Sequence, residues 1–191
     1  MRPPRRAGAL SAIAFAIRHP DRCAALVPIV PATFVPGRAQ VRPSALGQAI
    51  MDNALGSDFL FWAGMTLAED QMIATLLATD PALFHAASAT EQARVRRAIL
   101  HGILPVSART RGLRNDGLLA GNPAPMALER IAAPTLAISV EDDRFGTAAA
   151  ARHIAASVKG TEPMIYSAGG HLWVGHDDEV FAAVATFLNA L

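Results

Sequence analysis

A regular alternation of strand-like and helix-like segments near the end of the chain constrains the fold most strongly. Residues 135–140 (TLAISV) form a short apolar run typical of a buried strand, and the alanine-rich residues 147–158 that follow favour a helix. Residues 164–167 indicate a second short strand, and residues 177–191 a final helix that begins with three acidic side chains. Such alternation is typical of a parallel sheet with crossover helices. The sequence therefore predicts an α/β fold.

A carboxylate and an imidazole follow the ends of these two predicted strands. Asp143 comes just after the first strand, and His171 follows the second in the segment AGGH. Because ligands bind at the carboxyl ends of the strands in such sheets, we expect the two side chains at one edge. A histidine oriented by an aspartate is the acid–base half of a hydrolytic triad. The alternative is that Asp142 and Asp143 cap the next helix and that His171 is an ordinary loop histidine.

The first part of the chain predicts a helix followed by a strand. Residues 7–17 are almost entirely apolar and favour a buried helix that ends before Pro20. Residues 25–30 (ALVPIV) favour a buried strand, although Pro28 cannot donate a backbone hydrogen bond within it. A cleaved signal peptide is an alternative for the basic and apolar N-terminus, but charged residues stand where a small-residue cleavage site is expected.

Helical segments broken by proline and glycine are predicted for residues 36–126, and the clearest helix covers residues 90–100. Large apolar side chains in this region either pack it or line an apolar binding site: Phe59, Phe61, Trp62, Met65 and Met72. Three arginines either face solvent or pair with a substrate carboxylate: Arg109, Arg111 and Arg114.

Three segments of the chain resemble enzymes of the α/β-hydrolase fold. Residues 7–27 (AGALSAIAFAIRHPDRCAALV) are similar to the helix after the nucleophile elbow and the strand that follows it. Residues 134–143 (PTLAISVEDD) are similar to the strand and turn that carry the triad acid, and residues 169–176 (GGHLWVGH) to the histidine loop. The order of acid and histidine agrees with the Ser…Asp…His order of that fold. The resemblance covers nearly the whole chain, but only about the C-terminal two-thirds of a typical member.

The resemblance implies an incomplete α/β-hydrolase fold, with a short parallel sheet, flanking helices and an inserted helical cap. Residues 1–35 and 127–191 would form the core, and residues 36–126 the cap. Asp143 would be the triad acid, with Asp142 as the alternative, and His171 the general base; His176 has a similar position in the family but is interpreted as a helix-entry residue. The implied activity is hydrolysis of ester or related carbonyl bonds of a small apolar molecule, without metal or cofactor. Phe61 and Trp62 are the candidate substrate contacts.

The chain departs from the family's pattern at the nucleophile. When Gly8 is aligned with the second glycine of G-x-S-x-G, Arg6 takes the position of the serine and Pro4 that of the first glycine. Arginine stays protonated and cannot attack a carbonyl. We therefore expect a truncated hydrolase that is inactive alone. The alternative is a non-catalytic remnant that serves as a binding or assembly module.

The same truncation predicts an open sheet edge. In the family, a strand like residues 25–30 pairs with the nucleophile-bearing strand, so its loss would expose an apolar edge and favour self-association. Pro28 is expected to blunt this edge by removing one donor.

Composition excludes several other classes of protein. The 17 basic and 16 acidic residues give a net charge of +1 without a basic tract, which argues against nucleic-acid binding. The single cysteine, Cys23, excludes an internal disulfide and a thiolate zinc site. The longest uncharged apolar stretch, residues 24–35, is too short to span a membrane as a helix. We expect a globular cytoplasmic protein.

The abrupt start of the family resemblance at Ala7 yields a prediction about the gene. We predict that the DNA upstream of Met1 encodes, in one of its frames, a G-x-S-x-G that ends at the codon for Gly8, preceded by several strand-like runs. Sequencing and translating that region tests this. Stop codons scattered densely through all three frames would contradict it.

Overall fold

The structure, a computed structural model, describes residues 8–38, 53 and 55–191. The chain divides into two compact units, one formed by Met1–Gly37 with Pro123–Leu191 and the other by Arg38–Asn122. We call them the core unit and the helical unit. Pro4 and Arg6, which align with the nucleophile elbow, lie outside the described residues.

The described part of the chain contains α-helices and two short parallel strands, joined by turns and loops. The helices are α1 Gly8–Arg18, α2 Asp58–Leu67, α3 Glu69–Leu76, α4 Pro81–Ala86, α5 Ala89–Ile103, α6 Thr110–Gly121, α7 Thr147–Ser157 and α8 Asp177–Asn189, and the strands are β1 Ala137–Val140 and β2 Pro163–Tyr166. No helix among these residues is long and apolar enough to cross a bilayer.

The sheet of the core unit is parallel. β1 pairs with β2 from Ala137 opposite Pro163 to Val140 opposite Tyr166. Residues 26–30 lie along the other side of β1, which they contact through two isolated parallel bridges, Leu26–Thr135 and Ile29–Ile138. The predicted α/β class with a short parallel sheet and flanking helices is confirmed.

Pro28 explains why residues 26–30 do not form a continuous ladder with β1. Its carbonyl accepts a hydrogen bond from the Ile138 N–H at 3.0 Å, and Val30 donates to the Ile138 carbonyl at 2.8 Å. The backbone of Pro28 therefore faces β1, where it has no N–H to donate. The prediction that Pro28 removes a donor from the open edge is wrong, since the missing donor belongs to the paired side.

Both faces of β1 are buried. Ala137 belongs to an apolar cluster with side chains of α1 and α7, whereas Ile138 and Val140 belong to a second cluster with Trp173 and Val180 of α8. Successive side chains of a strand point to opposite faces, so Ser139 shares the face of Ala137. This two-sided burial is typical of parallel strands covered by helices. It fixes the position of β1, and therefore the position of the turn that follows Val140.

The helical unit is held partly by polar contacts between its own segments. The Asp58 carboxylate accepts hydrogen bonds from the Ser107 N–H at 2.8 Å and the Ser107 hydroxyl at 2.7 Å. These bonds, led by the backbone one, lower the pKa of Asp58 below its ordinary value. On α5, the guanidinium of Arg96 binds both oxygens of Glu69 on α3, at 2.6 and 2.7 Å.

The geometry of residues 26–30 predicts self-association through their outer side. Val27 and Ile29 alternate with the residues that bond to β1, so their backbone groups point away from it, and no backbone partner for them occurs among the described residues. We expect light scattering after size-exclusion chromatography at micromolar concentration to show more than one copy per particle.

Val27→Pro removes one outward donor and is expected to shift this equilibrium toward single copies, with thermal melting as the control for folding. A cooperatively melting monomer of the parent chain at all concentrations would contradict the prediction.

Candidate active site

Asp143 lies in the turn that follows β1, and its side chain is buried. The residue is 3% exposed. Its Oδ1 atom accepts a hydrogen bond from the Phe145 N–H at 2.9 Å, and its carbonyl accepts one from the Gly146 N–H at 2.6 Å. This is an aspartate turn, in which the side chain bonds to backbone two residues ahead. Bonds within its own turn thus hold Asp143 and its carboxylate in place.

His171 brings its ring to that carboxylate. It lies in the short 3₁₀ turn Gly170–Leu172 after β2, and its Nδ1 atom is 2.9 Å from Asp143 Oδ2. An ionised carboxylate can only accept, so Nδ1 carries the proton in this contact. The neutral ring then has its basic lone pair on Nε2. The imidazole side chain is 26% exposed, whereas that of Asp143 is fully buried. The structure therefore joins a buried acid to a partly accessible base.

Asp142 contacts the backbone of the histidine loop instead of the ring. Its two oxygens accept hydrogen bonds from the Gly170 N–H at 2.8 Å and the Gly169 N–H at 3.2 Å. Of the two candidate acids, the structure thus places Asp143 against the imidazole and Asp142 against the peptide groups that lead to it. Two adjacent carboxylates tie the turn after β1 to the loop after β2.

Gly169 is required at its position in this loop. Its φ is +139°, a conformation that side chains rarely adopt. A Cβ atom there would also lie 3.1 Å from the backbone of Trp173 and from the Val174 nitrogen. This close approach lets the Val174 N–H reach the Gly169 carbonyl at 2.8 Å. The tight loop thus keeps the ring of His171 beside the carboxylate of Asp143.

Two buried hydroxyl groups extend the polar contacts of Asp143. Thr147, the first residue of α7, donates its hydroxyl to Asp143 Oδ2. The Thr147 oxygen is also 2.9 Å from the Ser139 hydroxyl on β1, and both residues are 0% exposed. Sequence reasoning missed both of them. The available signal was a serine inside an otherwise apolar strand, TLAISV, four positions before the acid.

Phe145 supplies an apolar surface beside the base. Its ring meets that of His171 edge to face, with centroids 4.9 Å apart and an interplanar angle of 88°. The residue is 46% exposed. Aromatic pairs of this geometry are favourable, so the contact helps to orient the imidazole. Sequence reasoning missed this residue as well.

His176 anchors the far end of the histidine loop at the start of α8. Its Nδ1 lies 3.0 Å from Glu179 Oε2, its Nε2 lies 3.1 Å from the Ala168 carbonyl, and its ring stacks on Tyr166 at 4.1 Å. Burial raises the pKa of Tyr166 above its ordinary value, and the negative charge of Glu179 raises it further. His176 occupies the cap position of α8, so its contacts are those of a helix-entry residue.

The remaining predicted site residues belong to the helical unit. Phe61 is 0% exposed and Trp62 is 49% exposed. Arg109 donates to the Leu104 carbonyl at 2.7 Å. Among the residues that the structure describes, no group of three or more histidine, cysteine, aspartate or glutamate side chains could hold a metal ion.

Comparison with known proteins identifies the fold of the chain. No family model and no curated protein matches the chain. Among solved structures, an α/β-hydrolase fold protein from Nakamurella multipartita matches 96% of the chain with a TM-score of 0.59 and 24% identity. A hydrolase from Pseudomonas aeruginosa PA01 matches 94% with a TM-score of 0.57 and 25% identity. A membrane phospholipase A described as a bacterial virulence factor matches 94% with a TM-score of 0.58 and 19% identity.

The chain is shorter than each of these structures. It spans 67%, 61% and 53% of their respective lengths. The matches confirm the predicted resemblance to α/β-hydrolase-fold proteins. This chain has the α/β-hydrolase fold over the part of that fold which it spans.

Proposed function

We propose that His171 and Asp143 are the general base and the orienting acid of an α/β-fold serine hydrolase that cleaves ester or related carbonyl bonds. The observation that carries the proposal is the 2.9 Å contact between His171 Nδ1 and Asp143 Oδ2, made by a partly exposed ring on a buried carboxylate. The fold shared with hydrolases supports it.

In this mechanism, His171 Nε2 takes the proton of a serine hydroxyl as that oxygen attacks the substrate carbonyl. Asp143 stabilises the imidazolium that forms and keeps the ring in the tautomer with Nε2 unprotonated at the start. His171 then returns the proton to the departing alkoxide, which completes formation of an acyl-enzyme. Water, activated by the same Nε2, hydrolyses the acyl-enzyme and regenerates the serine.

Several of the serines that the structure describes bond to groups other than His171. Ser139 is buried against Thr147, Ser107 binds Asp58, and Ser88 bonds to the Glu91 N–H at the start of α5. Because Arg6 aligns with the position of the nucleophile, we propose that the serine belongs to polypeptide outside this sequence, encoded upstream of it. The chain would then supply the acid and base of a longer hydrolase.

An apolar group of the substrate is proposed to pack on Phe145, whose half-exposed ring borders His171. Residues 36–126 are proposed as the cap of such an enzyme, in which the half-exposed Trp62 is the retained candidate for a substrate contact. Phe61 has no exposed surface, so its side chain packs the helical unit.

The second candidate function is a non-catalytic binding or assembly module of the same fold. The observation that favours it is the absence, in this sequence, of a serine in a G-x-S-x-G context. The two functions predict different results when the polypeptide encoded upstream is added to the chain. Only the first predicts that the extended chain hydrolyses esters.

For the chain alone, we predict no hydrolysis of short-chain aryl esters above the rate of a His171→Ala variant. If the serine belongs to upstream polypeptide, as proposed, the base of this chain has no nucleophile to activate. His85→Ala, at an exposed histidine of the helical unit, is the matched control. A clear rate that disappears only in His171→Ala would contradict the assignment of the nucleophile to polypeptide outside this chain.

For the chain extended by the polypeptide encoded upstream, we predict ester hydrolysis in which the two adjacent aspartates differ. Asp143→Asn should lower kcat by about 10⁴-fold, because an amide in place of the orienting acid favours the wrong imidazole tautomer. Asp142→Asn leaves the contact between Asp143 and His171 intact and should lower kcat far less. It should reduce thermal stability, because the bonds to Gly169 and Gly170 are weakened.

Equal losses of kcat in the two variants would contradict the assignment of Asp143 as the triad acid. An extended chain that folds and binds small apolar molecules without hydrolysing any ester would favour the non-catalytic module.

A further inference from the structure

We propose that Ser139 and Thr147 are positioning residues, whose hydroxyl groups form a one-directional hydrogen-bond relay that holds Asp143 Oδ2 toward His171. The inference deepens the proposed function and rests on it, since Asp143 is there the orienting acid. It concerns two fully buried residues whose hydroxyl groups act through the carboxylate.

The carboxylate of Asp143 is held at both oxygens. Oδ1 accepts from the Phe145 N–H at 2.9 Å. Oδ2 accepts from His171 Nδ1 at 2.9 Å and from the Thr147 hydroxyl. The torsion that turns a carboxylate about its Cβ–Cγ bond is broad and weakly determined when the group is unrestrained. Donors on both oxygens fix that torsion, and with it the direction in which Oδ2 faces the ring.

The direction of the relay follows from the number of protons available. An ionised carboxylate has none to donate, so the Thr147 hydroxyl must donate to Oδ2. A threonine hydroxyl has one proton, so at its 2.9 Å contact with Ser139 the Thr147 oxygen can only accept. Ser139 therefore donates to Thr147, and Thr147 donates to Asp143. Each bond polarises the next, which strengthens the donor that reaches the anion.

Burial makes the two hydroxyls costly unless they are used. Ser139 and Thr147 are 0% exposed, and the other residues of β1 are Ala137, Ile138 and Val140. A buried hydroxyl needs a hydrogen-bond partner to offset its loss of hydration. Thr161, in the same unit, is a useful contrast, because its buried hydroxyl has no hydrogen-bond partner among the described residues.

The test is the tautomer of the neutral His171 ring, read from long-range ¹H–¹⁵N correlations of the whole chain. Assignment uses the signals that vanish in His171→Ala. We expect the parent chain to have its proton on Nδ1. Thr147→Val keeps the shape of the side chain without its hydroxyl, and should move the population toward the Nε2-protonated tautomer. Thr147→Ser restores the donor and should restore the parent spectrum.

Two further variants make the test specific. Ser139→Ala should produce a smaller shift in the same direction, and should add nothing in combination with Thr147→Val, because that change already breaks the relay at its last bond. Thr161→Val makes the same replacement at the unpartnered hydroxyl and should leave the His171 spectrum unchanged. Circular dichroism and thermal melting confirm that each variant is folded.

A folded Thr147→Val chain that keeps the parent tautomer would overturn the proposal, as would a Thr147→Ser chain that loses it. If Thr147→Val fails to fold, an unchanged His171 spectrum in Ser139→Ala would overturn it equally. These readouts do not depend on catalysis. If the tautomer responds as expected while the extended chain shows no esterase activity, the relay stands and the proposed function fails.

Discussion

The buried carboxylate of Asp143 is the group around which the core unit is organised. A carboxylate removed from water is costly unless hydrogen-bond donors replace its hydration. Here the donors come from three places: the backbone of its own turn, the first residue of α7, and the ring of His171 in the loop after β2. Each donor ties a different segment to the end of β1. The cost of burying the charge therefore couples the acid turn, the helix and the histidine loop.

The sheet makes this convergence geometrically simple. β1 and β2 are adjacent and parallel, so the turns that follow them emerge on the same edge. Asp142 adds a second link between those turns through the amides of Gly169 and Gly170. Successive side chains of β1 point to opposite faces, so they alternate between the α7 side, where Ser139 meets Thr147, and the α8 side. The strand thus positions the acid at its end and the hydroxyl relay on one face.

The sequence predicts those features of the fold and the site that follow from the order of residues along the chain. Asp143 and His171 each follow a strand-like run, and parallel strands bring their ends together, so the pair could be anticipated. The choice between Asp142 and Asp143 could not be derived from the residues alone, because adjacent side chains in a turn point in different directions that depend on the backbone.

The sequence alone could not predict contacts between side chains of different helices, strands and loops. Ser139 and Thr147 were missed since their hydroxyls matter only once the face of β1 and the start of α7 are juxtaposed. Phe145 was missed because its ring reaches His171 from another loop. Pro28 shows the same limit. Whether its backbone faces β1 or the outer side depends on strand pairing, which no local sequence pattern reveals.

We propose that His171, oriented by Asp143, activates a serine from polypeptide encoded upstream of this chain. Covalent labelling of the extended chain by a fluorophosphonate tests it most directly, because this reagent reports an activated serine without requiring knowledge of the substrate. We predict labelling of the serine in a G-x-S-x-G that ends at Gly8, slowed by at least about 10³-fold in His171→Ala. Labelling at an equal rate in the parent and His171→Ala chains, or no labelling of a folded extended chain, would contradict this role of His171.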